Sequence, residues 1–338
     1  MMQPRAHAVT SLQTAVFKYL ISGLAVWSDV EFPSAISVAS EHPIPEILIR
    51  AGDVPSCLEF PLHRADHWET THGFFLLRLA GVGNFLIRDG REIVYSSDPA
   101  CGTRKLALYL LGTCFAILLH QRGNLVLHAS SIAVGDRAML FCGPSRAGKS
   151  TLAALLCRRG YALLNDDVCT LCPAGDDSYE VHPDGRMLKL WTESLDELQW
   201  DREPEMAVQE NFQKYYCAPP VTEAHARPVG AIYLLHEAMP PAYIQRIPPL
   251  RGMWELKQNA YRPWLLAAME VGEEFFGASV ALQRNAGVYL LGRQKDFAAA
   301  DALLDLLEEH WSHLLPRLRE NHADKPAQSP FRNPAFAP

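Results

Sequence analysis

The clearest chemistry in this chain lies in Gly143-Pro144-Ser145-Arg146-Ala147-Gly148-Lys149-Ser150, followed by Thr151. The spacing Gly-x4-Gly-Lys-[Ser/Thr] is that of a loop that cradles phosphate. Small residues let backbone N–H groups converge on phosphate oxygens, and a helix beginning at the lysine turns its positive end toward them. Lys149 would bridge the outer phosphates, and the hydroxyl of Ser150 would bind Mg²⁺. The pattern carries meaning only between a strand and a helix. Both are expected here, from Ala138 to Cys142 before the loop and from Lys149 to Arg159 after it.

A second constellation is needed to name a reaction. Asp166 and Asp167 close the next apolar run. Adjacent carboxylates repel a triphosphate unless they are occupied. One can face Mg²⁺ while its neighbour faces an incoming hydroxyl, as base or as orienting group; the alternative is a surface acid pair at a turn. His128, in Leu127-His128-Ala129-Ser130, lies on the strand before the loop strand. Sequential strands are usually neighbours, which would bring it near the phosphates, whereas a lone strand histidine is otherwise structural. Lys189 and Lys214 read as surface charge, with contact to phosphate or a peptide carboxylate as the alternative for both. Trp191, Trp200, Trp254 and Trp264 read as packing. Cys169-Thr170-Leu171-Cys172 has the spacing of half a zinc site, but no second Cys/His pair follows at a matching distance. The cysteines therefore read as reduced core thiols.

The elements that must position these residues follow from periodicity. Ile47 to Ile49, Phe74 to Leu79, Phe85 to Ile87 and Glu92 to Tyr95 are short strands separated by Gly, Asp and Pro. Arg88-Asp89-Gly90-Arg91 is a hairpin turn, because Asp-Gly supplies positive φ. Thr103 to His120 reads as one long, buried helix ended by Arg122-Gly123-Asn124. Leu125 to Val134 reads as a single strand, then a turn at Gly135-Asp136-Arg137 leads to the loop strand. Tyr161 to Leu164 is the strand that ends in the acids. Val168 to Cys172 and Tyr179 to His182 follow as strands about a turn at Asp176-Asp177. Val229 to His236 and Gly287 to Gly292 complete the strands, and Phe297 to His310 has helical spacing. Strands alternating with helices predict an α/β core. The division this predicts is a β-rich N-terminal region with a buried helix (1–122), a nucleotide-binding domain (123–315) and a disordered tail (316–338) containing Pro316, Pro326, Pro330, Pro334 and Pro338.

Taken together, His128, the loop at 143–150 and Asp166-Asp167 resemble the catalytic domain of the HPr kinase/phosphorylase family. In that family a histidine precedes the phosphate loop, and a strand after the loop helix ends in paired aspartates. The specific part runs over 127–168, with looser similarity to residue 310, and it looks most like the divergent seryl kinases of lasso-peptide and related modified-peptide pathways. The resemblance implies a P-loop kinase core of the kind shared with phosphoenolpyruvate carboxykinases, with ATP and Mg²⁺ as cofactors. It implies a peptide or protein partner bearing an acceptor serine, and it leaves room for a homo-oligomer. By position it makes Asp166 the catalytic base, Asp167 a metal-side carboxylate beside Ser150, His128 a phosphate-side helper, and Gly143 to Thr151 the nucleotide-binding set, with Lys149 acting in catalysis. Authentic family members carry a second signature rich in Arg-Gly-Leu-Gly. The nearest text here, Leu250-Arg251-Gly252-Met253, stands in a Pro-rich approach to a helix and is not its equivalent. That departure argues against phosphorolysis and against HPr as the substrate. The N-terminal region does not resemble the family's regulatory domain and could select a peptide.

Composition narrows the alternatives. In 338 residues, 49% are hydrophobic and 20% charged, so the chain as a whole is expected to fold. A formal charge of −7 argues against nucleic acid held by phosphate neutralisation. The uncharged stretch from Leu106 to Leu119 falls short of the about 20 apolar residues a membrane span needs. Lys18 interrupts the only candidate signal segment, so a soluble, cytoplasmic protein is expected. A small-molecule kinase and a non-catalytic nucleotide-binding module are the competing readings. GTPase and transporter signatures (Asn-Lys-x-Asp and Leu-Ser-Gly-Gly-Gln) are absent.

Overall fold

The computed structural model describes residues 17–35, 44–175, 177–201, 206–208, 213–223 and 225–323. Asp176 and the tail residues 324–338 lie outside the described residues.

The first sheet is built from β1 (Phe17–Ile21), β2 (Leu24–Ser28), β3 (Ile47–Ala51), β4 (His63–Ala65), β5 (Trp68–Thr71), β6 (Phe74–Leu79), β7 (Gly83–Arg88) and β8 (Glu92–Ser97), in the order β1-β2-β3-β8-β7-β6-β5-β4. The Asp-Gly hairpin forms as predicted, with φ of 52° at Asp89 and 61° at Gly90. The β1–β2 hairpin, which turns at Ser22-Gly23, is one the periodicity does not single out. Phe75, Leu77, Phe85, Ile87 and Ile93 point to one face and are fully buried against the helical segment that follows. That segment is not one uniform helix. α1 (Thr103–Tyr109) and α2 (Phe115–Gln121) are joined by a π-helical turn, Leu110–Cys114. A wider turn releases carbonyls from the usual helical pairing, and Leu111 O accepts a hydrogen bond from buried Arg186 at 2.8 Å.

The second sheet contains β9 (Leu125–Leu127), β10 (Ala129–Val134), β11 (Arg137–Cys142), β12 (Ala162–Asn165), β13 (Cys169–Pro173), β14 (Tyr179–Val181), β17 (Arg227–Glu237), β18 (Tyr243–Arg246) and β19 (Val288–Arg293). β15 (Leu188–Trp191) and β16 (Lys214–Cys217) form a separate two-stranded ribbon. β11, β17 and β19 run parallel, whereas β10 is antiparallel to both β11 and β12. The expected single strand from Leu125 to Val134 is in fact two. The chain breaks at His128, whose N–H donates to Asn259 O at 2.8 Å, so β9 pairs with β13 while β10 pairs with β11 and β12.

Helices cover both faces of this sheet. α3 (Lys149–Arg158), α4 (Thr192–Leu198) and α8 (Ala300–Ala323) share a core with Met139, Phe141, Ala231 and Tyr233. α5 (Pro249–Gln258), α6 (Trp264–Ala268) and α7 (Gly272–Asn285) pack with the alternate residues Leu140, Cys142, Ile232 and Leu234 on the other face. The period-2 alternation of side chains produces this division. α8 also corrects the expected tail boundary, since it continues through Pro316 to Ala323. Its apolar face continues as well: Leu314 and Leu315 pack on the core and Leu318 is buried. Trp264 packs as expected, stacked on Trp68, whereas Trp254 is 59% exposed. The protein is a mixed α/β structure. Among the described residues no helix is long and apolar enough to cross a membrane.

Candidate active site

Register brings the candidate residues to one edge of the second sheet. Ala129 lies opposite Cys142, and Ser131 opposite Asn165. His128 before β10, the loop after β11 and the acids after β12 therefore converge at the carboxyl ends of the parallel strands, where open α/β sheets take ligands. A cavity of about 660 Å³ opens there, lined among others by His128, Ser145, Arg146, Gly148, Lys149, Ser150, Thr151 and Asp167.

The loop enters α3 through Gly148, in the left-handed region at φ 87°. A Cβ at this position would sit 2.6 Å from Arg293 Nη2, so glycine is required both by the backbone and by the guanidinium against it. Arg293, on the last residue of β19, donates to Ala147 O. Lys149 is 6% exposed and donates to Gly143 O at 2.8 Å and Pro144 O at 3.1 Å. Burial lowers its pKa. Its ammonium thus rests on the rim of the loop, next to the space a phosphate would fill. The Thr151 hydroxyl is hydrogen-bonded to that of Ser194 on α4, 2.9 Å away.

The two aspartates stand in different surroundings. Asp166 is 1% exposed and fully hydrogen-bonded. Its Oδ1 accepts from Ser130 Oγ at 2.6 Å and from Ser150 Oγ at 2.8 Å, and its Oδ2 from the Lys189 backbone N–H at 2.8 Å. Asp167 faces the cavity from a left-handed backbone, φ 80°, which is rare and strained for a residue with a side chain. Its Oδ2 accepts from Lys189 Nζ at 2.7 Å, and its Oδ1 lies 3.2 Å from His128 Nδ1. That same Nδ1 lies 3.0 Å from Asp167 O, so two acceptors surround it and Nδ1 carries the hydrogen. Burial opposes the charged form of Asp167, but Lys189 and His128 outweigh it and hold the carboxyl well below its ordinary range.

This geometry reverses an expectation. The carboxylate beside Ser150 is Asp166, not Asp167, because β12 ends at Asn165 and the left-handed turn at Asp167 swings that side chain out to the cavity. A second correction concerns Lys189, which is neither exposed nor free: its side chain is 8% exposed and paired with Asp167. Lys214 and Trp191, read as surface and packing, also line the cavity. Arg146 and Lys214 stand over the Trp191 ring, 4.8 and 5.6 Å from its centroid. Ser130 and Arg293 were not legible as site residues. The available signal was a polar Ser130-Ser131 pair inside an apolar strand and an arginine closing another, since buried polar groups need partners. Cys169 is buried against Ser131 and Asn165, and its thiol pKa is raised well above the usual value by that burial.

The residues present fit a magnesium nucleotide. Lys149, Lys189, Lys214, Arg146, Arg293 and Lys295 all line the one cavity, a surplus of cations suited to polyphosphate. The donor pair of Ser150 and Asp166 is all oxygen, as a hard cation needs. Among the described residues no group of three or more His, Cys, Asp or Glu could hold a metal ion.

No family model and no curated protein matches the chain. Among solved structures, the HPr(Ser) kinase/phosphatase from Coxiella burnetii is similar at a TM-score of 0.30 and 13% identity, over 58% of this chain and 98% of that one. A likeness of that size carries no weight, and the site rests on its own geometry.

Proposed function

We propose that the protein is an ATP-dependent kinase that transfers the γ-phosphoryl group to a serine hydroxyl of a peptide or protein, on a P-loop core of the HPr kinase type. The observation that carries this reading is the divergence of the two acids: Asp166 is bound to the Ser150 hydroxyl, while Asp167 stands open to the same cavity as Lys149. A module that only held nucleotide would need the first acid and not the second.

In this reading Gly143 to Thr151 hold the phosphates, and Lys149 leaves its loop carbonyls for the outer phosphate oxygens. Ser150, hydrogen-bonded to Asp166, would hold Mg²⁺. Bound there, Mg²⁺ would neutralise charge on the phosphate oxygens as transfer proceeds. Asp167, braced by Lys189 and His128, orients the serine hydroxyl and accepts its proton as the serine Oγ–phosphorus bond forms and the bond from phosphorus to the ADP oxygen breaks. A carboxylate held below its usual pKa is a weak base, so its larger contribution is orientation, in keeping with a loose transition state. A lasso-type precursor peptide as the acceptor rests on the resemblance over 127–168 alone.

The test is mass spectrometry of a serine-containing precursor peptide encoded next to this gene, incubated with the protein and Mg·ATP. Gain of one phosphoryl group on serine, with ADP formed in equal amount, is expected. Inorganic phosphate should not efficiently reverse the reaction. Phosphorylation of a small alcohol instead would favour a small-molecule kinase, and ATP binding without any transfer would leave a nucleotide-binding module.

A further inference from the structure

Lys189 belongs to the β15–β16 ribbon, which shares no strand with the nine-stranded sheet, yet it meets both acids at the end of β12. Its backbone N–H donates to Asp166 Oδ2 at 2.8 Å and its Nζ to Asp167 Oδ2 at 2.7 Å. One residue thus closes on two adjacent carboxylates from a different sheet. Lysine is almost never buried unless paired. Here Asp167 Oδ2 accepts from its Nζ, and Tyr216 stands opposite it across the ribbon. The segment leading to it is anchored as well. Asp184 N–H donates to Leu164 O, Arg186 reaches Leu111 O in the π-helical turn, and Met187 N–H donates to Ser34 O. The position of Nζ is therefore fixed by the N-terminal region and by β12 together.

Charge gives this clasp a task. The donors on Asp166 are two hydroxyls and a peptide N–H, so its negative charge is solvated but not cancelled. Asp167 stands at the cavity wall where the outer phosphates of a nucleotide would arrive, and a bare carboxylate there would repel them. Lys149 donates to Gly143 O and Pro144 O and to neither aspartate, and in the nucleotide reading its charge is taken up by the outer phosphates.

We propose that Lys189 is a positioning residue, the counter-ion that holds Asp167 toward the cavity and cancels its charge so that a triphosphate can bind beside it. The proposal rests on the nucleotide reading above, and Lys189 acts through Asp167 rather than on the nucleotide. Its two halves can be separated, because a side-chain substitution leaves the backbone N–H on Asp166 in place.

The test is a charge-rescue cycle read by calorimetric titration with ATP in the presence of Mg²⁺. Lys189→Met should weaken ATP binding about tenfold, since an uncompensated carboxylate then faces the phosphates. Adding Asp167→Asn should restore the affinity to within about twofold of wild type, since the pair carries no net charge in either. Lys189→Arg, which keeps the charge, should bind ATP nearly as well as wild type. A loss caused only by misfolding or poor packing would not be mended by neutralising a second residue. If Lys189→Met does not fold, the double variant and Lys189→Arg still decide the matter, because neither leaves an unpaired buried charge and the proposal requires both to bind ATP nearly as wild type does. Wild-type affinity in Lys189→Met, or a double variant that binds no better than Lys189→Met, would overturn the proposal while leaving the nucleotide reading intact. Absence of ATP binding by the wild-type protein would end both, and that outcome is distinct from the others.

Discussion

On the eight-stranded sheet, the charges of one ion-pair cluster stay in part exposed to solvent. Arg50 on β3 and Arg88 on β7 both meet Glu92 on β8, with the Arg50 side chain 34% exposed, while Phe75, Leu77, Phe85 and Ile87 fill the interior. At the loop-bearing edge of the nine-stranded sheet the pattern inverts: Asp166, Lys149 and Lys189 are all at most 7% exposed. The turns at Asp89 and at the loop edge differ too, although Phe60 in the first region also has a positive φ, 53°. Asp89 has positive φ in an Asp-Gly hairpin, where the turn demands it, but Arg146 and Asp167 have positive φ with no hairpin to require it. The first region is arranged as a sequence optimised for folding would be. The second departs from that arrangement at several adjacent residues, as functional sites do, and depends on the surrounding structure to hold it.

The comparison can be broken from either side. Its largest expected effect is on stability: Phe85→Ala, in a fully buried position, should cost about 3–5 kcal/mol through lost burial and a residual cavity. At a temperature where the variant is still folded, ATP affinity should be unchanged; calorimetric melting and titration on one sample would check both. Next comes Lys149→Ala, which should lower ATP affinity about 10²-fold by removing charge-assisted hydrogen bonds. Its melting temperature should hold, since Lys149 begins α3 and alanine supports a helix. A large loss of stability here would mean that the buried ammonium is structural. The smallest effect belongs to that ion-pair cluster. Arg50→Ala should change stability by no more than about 1 kcal/mol, because exposed ion pairs contribute little, and denaturant melts should superimpose within that margin.

Legibility divides along the same line. Strands such as Phe74–Leu79 and the loop strand ending at Cys142 were readable because a strand's period, an apolar run and a Gly or Asp stop coincide within a few residues. The loop itself was readable because its chemistry is local. The site beyond the loop was only half legible, because it depends on register. The break at His128 is set by Asn259, far along the chain, and the outward turn of Asp167 cannot be read from two adjacent aspartates. Lys189 looked like surface charge because the acid that buries it lies on another strand. The helix from Thr103 was visible, but its π-helical turn was not, since the partner of Leu111 O is Arg186. The proline at 316 suggested an end that Leu318, buried on the core, overrides.

The central claim is the division of labour between the two acids, and it can be measured without knowing the acceptor. ATP affinity is titrated with and without Mg²⁺ for the wild-type protein, Asp166→Asn and Asp167→Asn. Mg²⁺ should tighten ATP binding in the wild type and in Asp167→Asn, but not in Asp166→Asn, which lacks the negative charge beside Ser150 that favours a cation there. The opposite pattern, with the Mg²⁺ effect kept in Asp166→Asn and lost in Asp167→Asn, would contradict the account.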